Sequence, residues 1–308
     1  MAARPSSEAR RMDRVQSALD DVRAFCDVDV RRAADPVSFV HRYLARDDRE
    51  LAALAASSIA FGNAKVIVAK LEDLFARLGP SPARTADDDV DIAARLRGWK
   101  HRVFVGQDLA WLLVGARAVQ RTDGSLGAAF SEELGRTSTL REALARFCDR
   151  IRSAGGLRLR RPGVGPRHLL PDPRNSSGSK RLLLFLRWMI RPADGVDLGL
   201  WAIDPGRLLI PVDVHIHRLA RNLGLTSHRT VSWETAEEIT RALARFDASD
   251  PTKYDFSLCH MGMLRRCPSR REPHLCSGCG VKPVCVHWKG SRPSETPAAL
   301  GASRRRPV

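Results

Sequence analysis

Hydrophobic positions recur along this chain with the spacing of an α-helix. Leu71, Leu74, Phe75 and Leu78 fall at i, i+3, i+4 and i+7, one face of a helix. Leu140, Leu144, Phe147 and Ile151 repeat the pattern, as do Ile239, Leu243 and Phe246. Thr139 and Ser232 precede two of these stretches and are the expected N-caps. Residues 180–191 (KRLLLFLRWMIR) are apolar nearly all round, which predicts a buried helix opened by Lys180. Residues 255–266 (DFSLCHMGMLRR) read as another helix. No run of four to eight residues alternates cleanly, which argues against a sheet-based fold, and the expected fold class is all-α. Asp35-Pro36 and Asp250-Pro251 read as helix entries with Pro at the first helical position. The longest stretch without a helical pattern is 155–179, where Pro166, Pro171 and Pro173 argue against a helix. A loop of that length inside a compact domain points to function.

Composition narrows the class. The chain has 308 residues, of which 44% are hydrophobic, enough to bury a core in one large domain or two small ones. No apolar run approaches the length of a membrane span, and the N-terminus lacks the apolar stretch of a secretory signal. A cytoplasmic protein is expected. Fifty-one Lys and Arg against 35 Asp and Glu leave a net charge of +16, which points to a polyanion such as nucleic acid. The excess is concentrated. Residues 152–191 carry ten basic residues against Asp172 alone, and residues 265–289 carry six against Glu272 alone. Residues 1–12 read as a disordered basic arm and 289–308, rich in Pro, Ser, Ala and Arg, as a disordered tail.

Five of the seven cysteines crowd the last fifth of the chain. Cys26 and Cys148 stand alone, and Cys259 falls within a predicted helix, so all three read as core. The remaining four form Cys267-x8-Cys276-x2-Cys279-x5-Cys285, with Pro268, Pro273, Gly278, Gly280 and Pro283 between them as loop formers. Four soft thiolates at such spacing hold zinc or an iron–sulfur cluster, and spacing alone leaves the choice open.

A Cys-x6-Cys-x2-Cys-x5-Cys loop after a His- and Gly-containing helix belongs to the endonuclease III branch of the helix-hairpin-helix DNA glycosylases. This chain resembles it: His260-Met261-Gly262 precedes Cys267, and the last two intervals match, while the first is eight rather than six. Ile210-Pro211-Val212-Asp213-Val214-His215-Ile216-His217-Arg218 is similar to that family's Val-Asp-x-His-Ile-x-Arg segment, whose Asp is catalytic. Lys180, following Ser177-Gly178-Ser179, resembles the nucleophilic lysine after the family's hairpin. The wider Lys–Asp interval resembles that of archaeal 8-oxoguanine glycosylases, which lack the cluster. Over most of 35–288 the chain also resembles an uncharacterised bacterial family with HLLPDP, DLGLW and related segments.

The resemblance implies a two-lobed glycosylase domain over 13–288. Residues 48–190 would form the lobe carrying the hairpin and Lys180; 13–47 with 191–288 would form the lobe carrying Asp213 and the metal loop 267–285. It implies a [4Fe–4S] cluster, zinc being the lesser option, on Cys267, Cys276, Cys279 and Cys285. The partner would be double-stranded DNA with a damaged base, bound by a nucleoid-associated monomer and contacted by Ser177, Ser179, Arg181, Arg218, Arg265, Arg266, Arg270 and Arg271. Phe61 or Asn63, in Ala60-Phe61-Gly62-Asn63-Ala64, would fill the gap left by a flipped base. The hairpin equivalent is assigned to 169–179, with Pro162-Gly163-Val164-Gly165 set aside as an imitation.

Elementary electrostatics supports a nucleophilic Lys180. A lysine in the first turn of a buried helix faces the positive end of the dipole and neighbouring Arg181, which favours the free amine. The expected activity is excision of an oxidised base (8-oxoguanine first, oxidised pyrimidines second) through a lysine Schiff base, with strand nicking at the abasic site. Asp213-x-His215-x-His217 also imitates the metal motif of amidohydrolase-like barrels, but only helix-like or loop sequence follows it. The alternative from another class is a noncatalytic DNA-binding protein with an iron–sulfur or zinc module.

Overall fold

A computed structural model describes residues 6–155, 164–175 and 177–288. The chain is helical almost throughout. In order come α1 (Ser7–Ala24), α2 (Val28–Ala33), α3 (Arg46–Ile59), α4 (Ala64–Leu78), α5 (Pro82–Thr85) and α6 (Asp89–Arg95). A two-residue antiparallel pair follows, β1 (Lys100–His101) with β2 (Phe104–Val105). Then come α7 (Gly106–Asp123), α8 (Leu126–Arg136), α9 (Leu140–Ala154), α10 (Val164–Leu169) and α11 (Lys180–Ile190). The last are α12 (Val214–Leu223), α13 (Trp233–Ala244) and α14 (Asp255–Arg265). Among the described residues no helix is long and apolar enough to cross a membrane.

The helical stripes bury as their spacing requires. On α4, Leu71, Leu74, Phe75 and Leu78 face inward together with Ile67. Thr139 Oγ1 accepts the Glu142 amide at 3.2 Å, and Ser232 Oγ the Thr235 amide at 3.2 Å, the two expected caps. At the centre α11 packs on α3, and both are sunk in the core. Leu182 through Ile190 are all buried, and each large apolar side chain there contributes about 1.5–3 kcal/mol. Glu50 on α3, fully buried, is a hub. Its oxygens accept Leu126 N, Gly127 N, Gln120 Nε2 and Trp201 Nε1 at 2.8–3.1 Å, which ties α3 to α7, to the start of α8 and to the 191–213 segment. A second group of contacts joins α14 to α1 and α12, next to the cysteine loop.

Several local expectations change. Asp35-Pro36 opens a 3₁₀ helix (Pro36–Arg42) capped by Asp35, and Asp250-Pro251 lies in a turn, with α14 starting only at Asp255. The arm read as disordered over 1–12 is helical from Ser7, capped by Ser6 and anchored by buried Met12. The 155–179 stretch contains α10, because Pro166 sits in its first turn, where no backbone N–H is needed. The tail 289–308, most of the Pro162–Gly165 motif's approach (156–163) and their basic residues lie outside the described residues.

The basic run over 152–191 is not one solvated face. Arg187 and Arg191 are buried on α11. Arg187 pairs with Asp197 at 3.1 Å and with Asp255; Arg191 pairs with Asp197, with Asp194 at 2.9 Å and with Asp250 at 2.8 Å. Arg174 and Arg152 share Asp149. Acids outside the counted segment, Asp149, Asp194, Asp197, Asp250 and Asp255, neutralise these positions.

Candidate active site

Two helix starts converge on one point. Ser179 stands in the left-handed region (φ 45°, ψ 31°), a costly conformation for a residue with a Cβ, and turns the chain abruptly into α11. Lys180 is the first residue beyond it. Asp213 caps α12, its Oδ1 accepting the amides of His215 and Ile216 at 2.9 Å each. That leaves Oδ2 free to face the lysine. Lys180 Nζ and Asp213 Oδ2 lie 3.2 Å apart, although 33 positions separate them in sequence. Cys259 of α14 points its thiol at the same oxygen, 3.9 Å away. All three line a cavity of about 1410 Å³, with Ser179, Asp255 and His260 also in its wall. A small-molecule pocket is commonly about 300–1,000 Å³, so a nucleoside-sized group has room here.

The electrostatics reverse one expectation. Burial pushes the Lys180 ammonium toward losing its proton, but Asp213, then the neighbouring Cys259 and Asp255, outweigh it and raise the lysine's pKa. Burial pushes the Asp213 carboxyl up, and Lys180 with the Ile216 amide pulls it down further than that, so it is lowered. The resting state is an ion pair. Neither the helix dipole nor Arg181 frees the amine, because a carboxylate at 3.2 Å dominates and Arg181 is turned away. Burial drives Asp255 up to about 6 despite its pairing with Arg187, and Cys259 well above its usual range.

A family model matches residues 35–264, described as a protein of unknown function, DUF2400. The chain belongs to that family. The match spans Lys180, Asp213, Cys259 and His260 and ends before Cys267. No curated protein and no solved structure matches the chain.

The other sequence-derived residues of this DUF2400 chain have varied surroundings. Arg181 is spent inside the fold. Its guanidinium donates to the carbonyls of Ser58 and His168, lies over Phe61 (5.1 Å) and Phe104 (5.8 Å), and is pushed down to about 10 by burial. Phe61 lines the cavity but packs edge-on against His101 and Phe104 with Arg102 above it. Asn63 is exposed and caps α4, accepting Lys65 N at 3.0 Å. Ser177 is an exposed part of the cavity wall; Ser179 is buried, and its hydroxyl has no partner among the described residues. Arg218 donates to Cys267 O at 2.8 Å and Arg265 to Ser277 O at 3.2 Å. Arg270 pairs with Glu272, Arg271 covers Trp288, and Arg266, exposed, ends α14 in a left-handed turn. Two further cations line the cavity without a hydrogen bond or ion pair among the described residues: Arg31 and exposed Arg167.

Cys267, Cys276, Cys279 and Cys285 are all free thiols and line one enclosure of about 20 Å³. Asn222 of α12 donates to Cys267 Sγ at 3.3 Å and to Pro268 O at 3.0 Å, while its Oδ1 meets His287 Nε2 at 3.0 Å. Burial raises the thiols of Cys267 and Cys285, and the neighbouring cysteines add to it. Among the described residues no three His, Cys, Asp or Glu side chains stand in the geometry of a metal site. The donor set nonetheless fits a thiolate-bound group in its chemistry: four sulfurs around one space, one already receiving an N–H.

Sequence reasoning treated Cys259 as core and passed over Asp255, His260 and Asp35 as site residues. The available signal was an ionisable residue at Asp255 and, one turn on, at Cys259, with His260 next to it, on a largely apolar helix.

Proposed function

We propose that this chain is a two-lobed, helix-hairpin-helix DNA glycosylase with abasic-site lyase activity. The observation that carries the reading is the meeting of Lys180 and Asp213 at 3.2 Å in the wall of a cavity roomy enough for an everted nucleoside. An amine and a carboxylate in contact are the minimum for attack at C1′ of a sugar. The carboxylate takes the ammonium proton, and the freed amine forms a bond to C1′ as the bond to the base breaks. Ring opening gives a Schiff base; loss of a C2′ proton then expels the 3′ phosphate and nicks the strand. The lysine's pKa is raised at rest, so this proton transfer is a required step and not a pre-paid one.

Oxidised bases are the proposed substrates, 8-oxoguanine first and oxidised pyrimidines second. Cys267, Cys276, Cys279 and Cys285 would hold a [4Fe–4S] cluster, which when bound would brace the loop. Arg218 and Asn222 already tie that loop to α12, the helix that Asp213 caps.

Borohydride trapping tests the reading. Incubated with abasic or lesion-bearing duplex and borohydride, the protein is expected to form a covalent adduct, and Lys180→Gln is expected to abolish adduct and nicking while DNA binding persists. No adduct from the unaltered protein on any lesion, with binding intact, supports a DNA-binding protein without catalysis instead.

A further inference from the structure

A second acid-and-base pair faces the same cavity as Lys180 and Asp213. His260 follows Cys259 on α14, and its Nε2 stands 3.2 Å from Asp35 Oδ2. The other oxygen of Asp35 accepts the Val37 amide at 3.0 Å, so the carboxylate is fixed by the short helix it caps. A carboxylate on one ring nitrogen holds a proton there and sets the ring's orientation, which leaves the other nitrogen as the working atom. His260 is 8% exposed, His260 and Asp35 both line the cavity, and Nδ1 has no partner among the described residues. Phe256, one turn earlier, lies against the imidazole with ring centroids 4.4 Å apart. Helix α14 therefore shows the cavity two adjoining stripes. Cys259 faces Asp213, and Phe256 with His260 lie about 100° further round.

The two pairs divide a task that one pair cannot do. Asp213 Oδ2 is already committed to Lys180 and to the Cys259 thiol. A base leaving C1′ carries away the electron pair of its glycosidic bond and needs a proton from elsewhere. We infer that His260, oriented by Asp35, donates that proton, and that Phe256 is the flat apolar surface against which the base lies; this rests on the glycosylase reading. Protons and electrons balance. The C1′–N pair departs with the base, which takes the imidazolium Nδ1 proton and leaves His260 neutral. Lys180, having given one proton to Asp213, forms the new bond to C1′. Asp35 takes no proton in this step and serves only to hold the ring through Nε2.

Two activities of the full-length protein separate this role from a structural one. Single-turnover release of base from duplexes carrying 8-oxoguanine or an oxidised pyrimidine needs the acid. Nicking of a duplex with a preformed abasic site does not, because no base leaves. His260→Asn is expected to slow base release about a hundredfold relative to abasic nicking, within the range of general acid catalysis, with a cooperative melting curve showing that the protein is still folded. Asp35→Asn is expected to shift the same two readouts in the same direction by a smaller factor, since an amide oxygen can still accept from Nε2 and hold the ring. Base release by His260→Asn at the unaltered rate overturns the inference. So does an equal loss of both activities, which is what a merely structural histidine would give, and so does nicking without release by the unaltered protein. Failure of the unaltered protein to nick abasic DNA is the separate outcome in which the glycosylase reading itself falls.

Discussion

At the scale of single residues, Asp213 does three things with two oxygens. Oδ1 caps α12 through two amides, and Oδ2 serves Lys180 and Cys259. Asp213→Asn keeps a side-chain oxygen for the cap, so the helix loses little. It removes the negative charge that raises the lysine's pKa, and that pKa must then fall. Lys180 becomes a free amine at lower pH. The rise of the trapping rate with pH is therefore expected to move toward acid in Asp213→Asn, with a lower plateau because no carboxylate takes the proton. An unmoved profile in stopped borohydride reactions across pH would contradict the pairing. The capping role was legible from local sequence; the Cys259 contact, 46 positions away, was not.

At the scale of elements, α7 and α9 cross at two glycines. A Cβ on Gly115 would lie 2.3 Å from Ile151 O and 2.9 Å from Gly155 N, both backbone atoms that cannot swing aside. Gly115→Ala is expected to cost about 1–3 kcal/mol or more, as overpacking does. On α8, Gly135 has nothing within 4 Å, and Gly135→Ala should be neutral or stabilise by up to about 1 kcal/mol. Urea unfolding midpoints of the two variants decide it, and equal midpoints would refute the crossing. Stripes on α4, α9 and α13, and the caps of α9 and α13, could be read from spacing, because each depends on neighbours within a few residues. Helix α10 could not. Proline was weighed as a breaker without its position in the first turn, and buried Gly165 is tied to Asp108 of α7, whose Oδ2 lies 2.1 Å from where its Cβ would be.

At the scale of the molecule, a charge of +16 says little about where DNA would lie, since many cations are already matched. Arg187, Arg191 and Arg174 face acids, and Arg181 faces carbonyls. If the proposed DNA partner binds here, Arg31 and Arg167, at the cavity and without a side-chain hydrogen bond or ion pair among the described residues, would be the better phosphate ligands. On duplex DNA, Arg167→Gln is expected to reduce the slope of log affinity against log salt by about 0.9, one phosphate contact. Arg181→Gln should instead lower the melting temperature, because it strands the carbonyl of buried Ser58 and strips the aromatic contacts with Phe61 and Phe104. An unchanged slope in Arg167→Gln would remove it from the interface.

Sequence by itself determined the helical class, the stripes of several helices, the four-thiol segment and the segments that hold Lys180 and Asp213. Each of these is written in spacing or in residue chemistry a few positions apart. Only the tertiary structure decided that Lys180 and Asp213 touch, that their proton rests on the lysine, that Arg187 and Arg191 are buried in acid pairs, and that Asp35 reaches His260. Those outcomes depend on through-space distances between remote segments, and electrostatic energy follows that distance rather than separation along the chain.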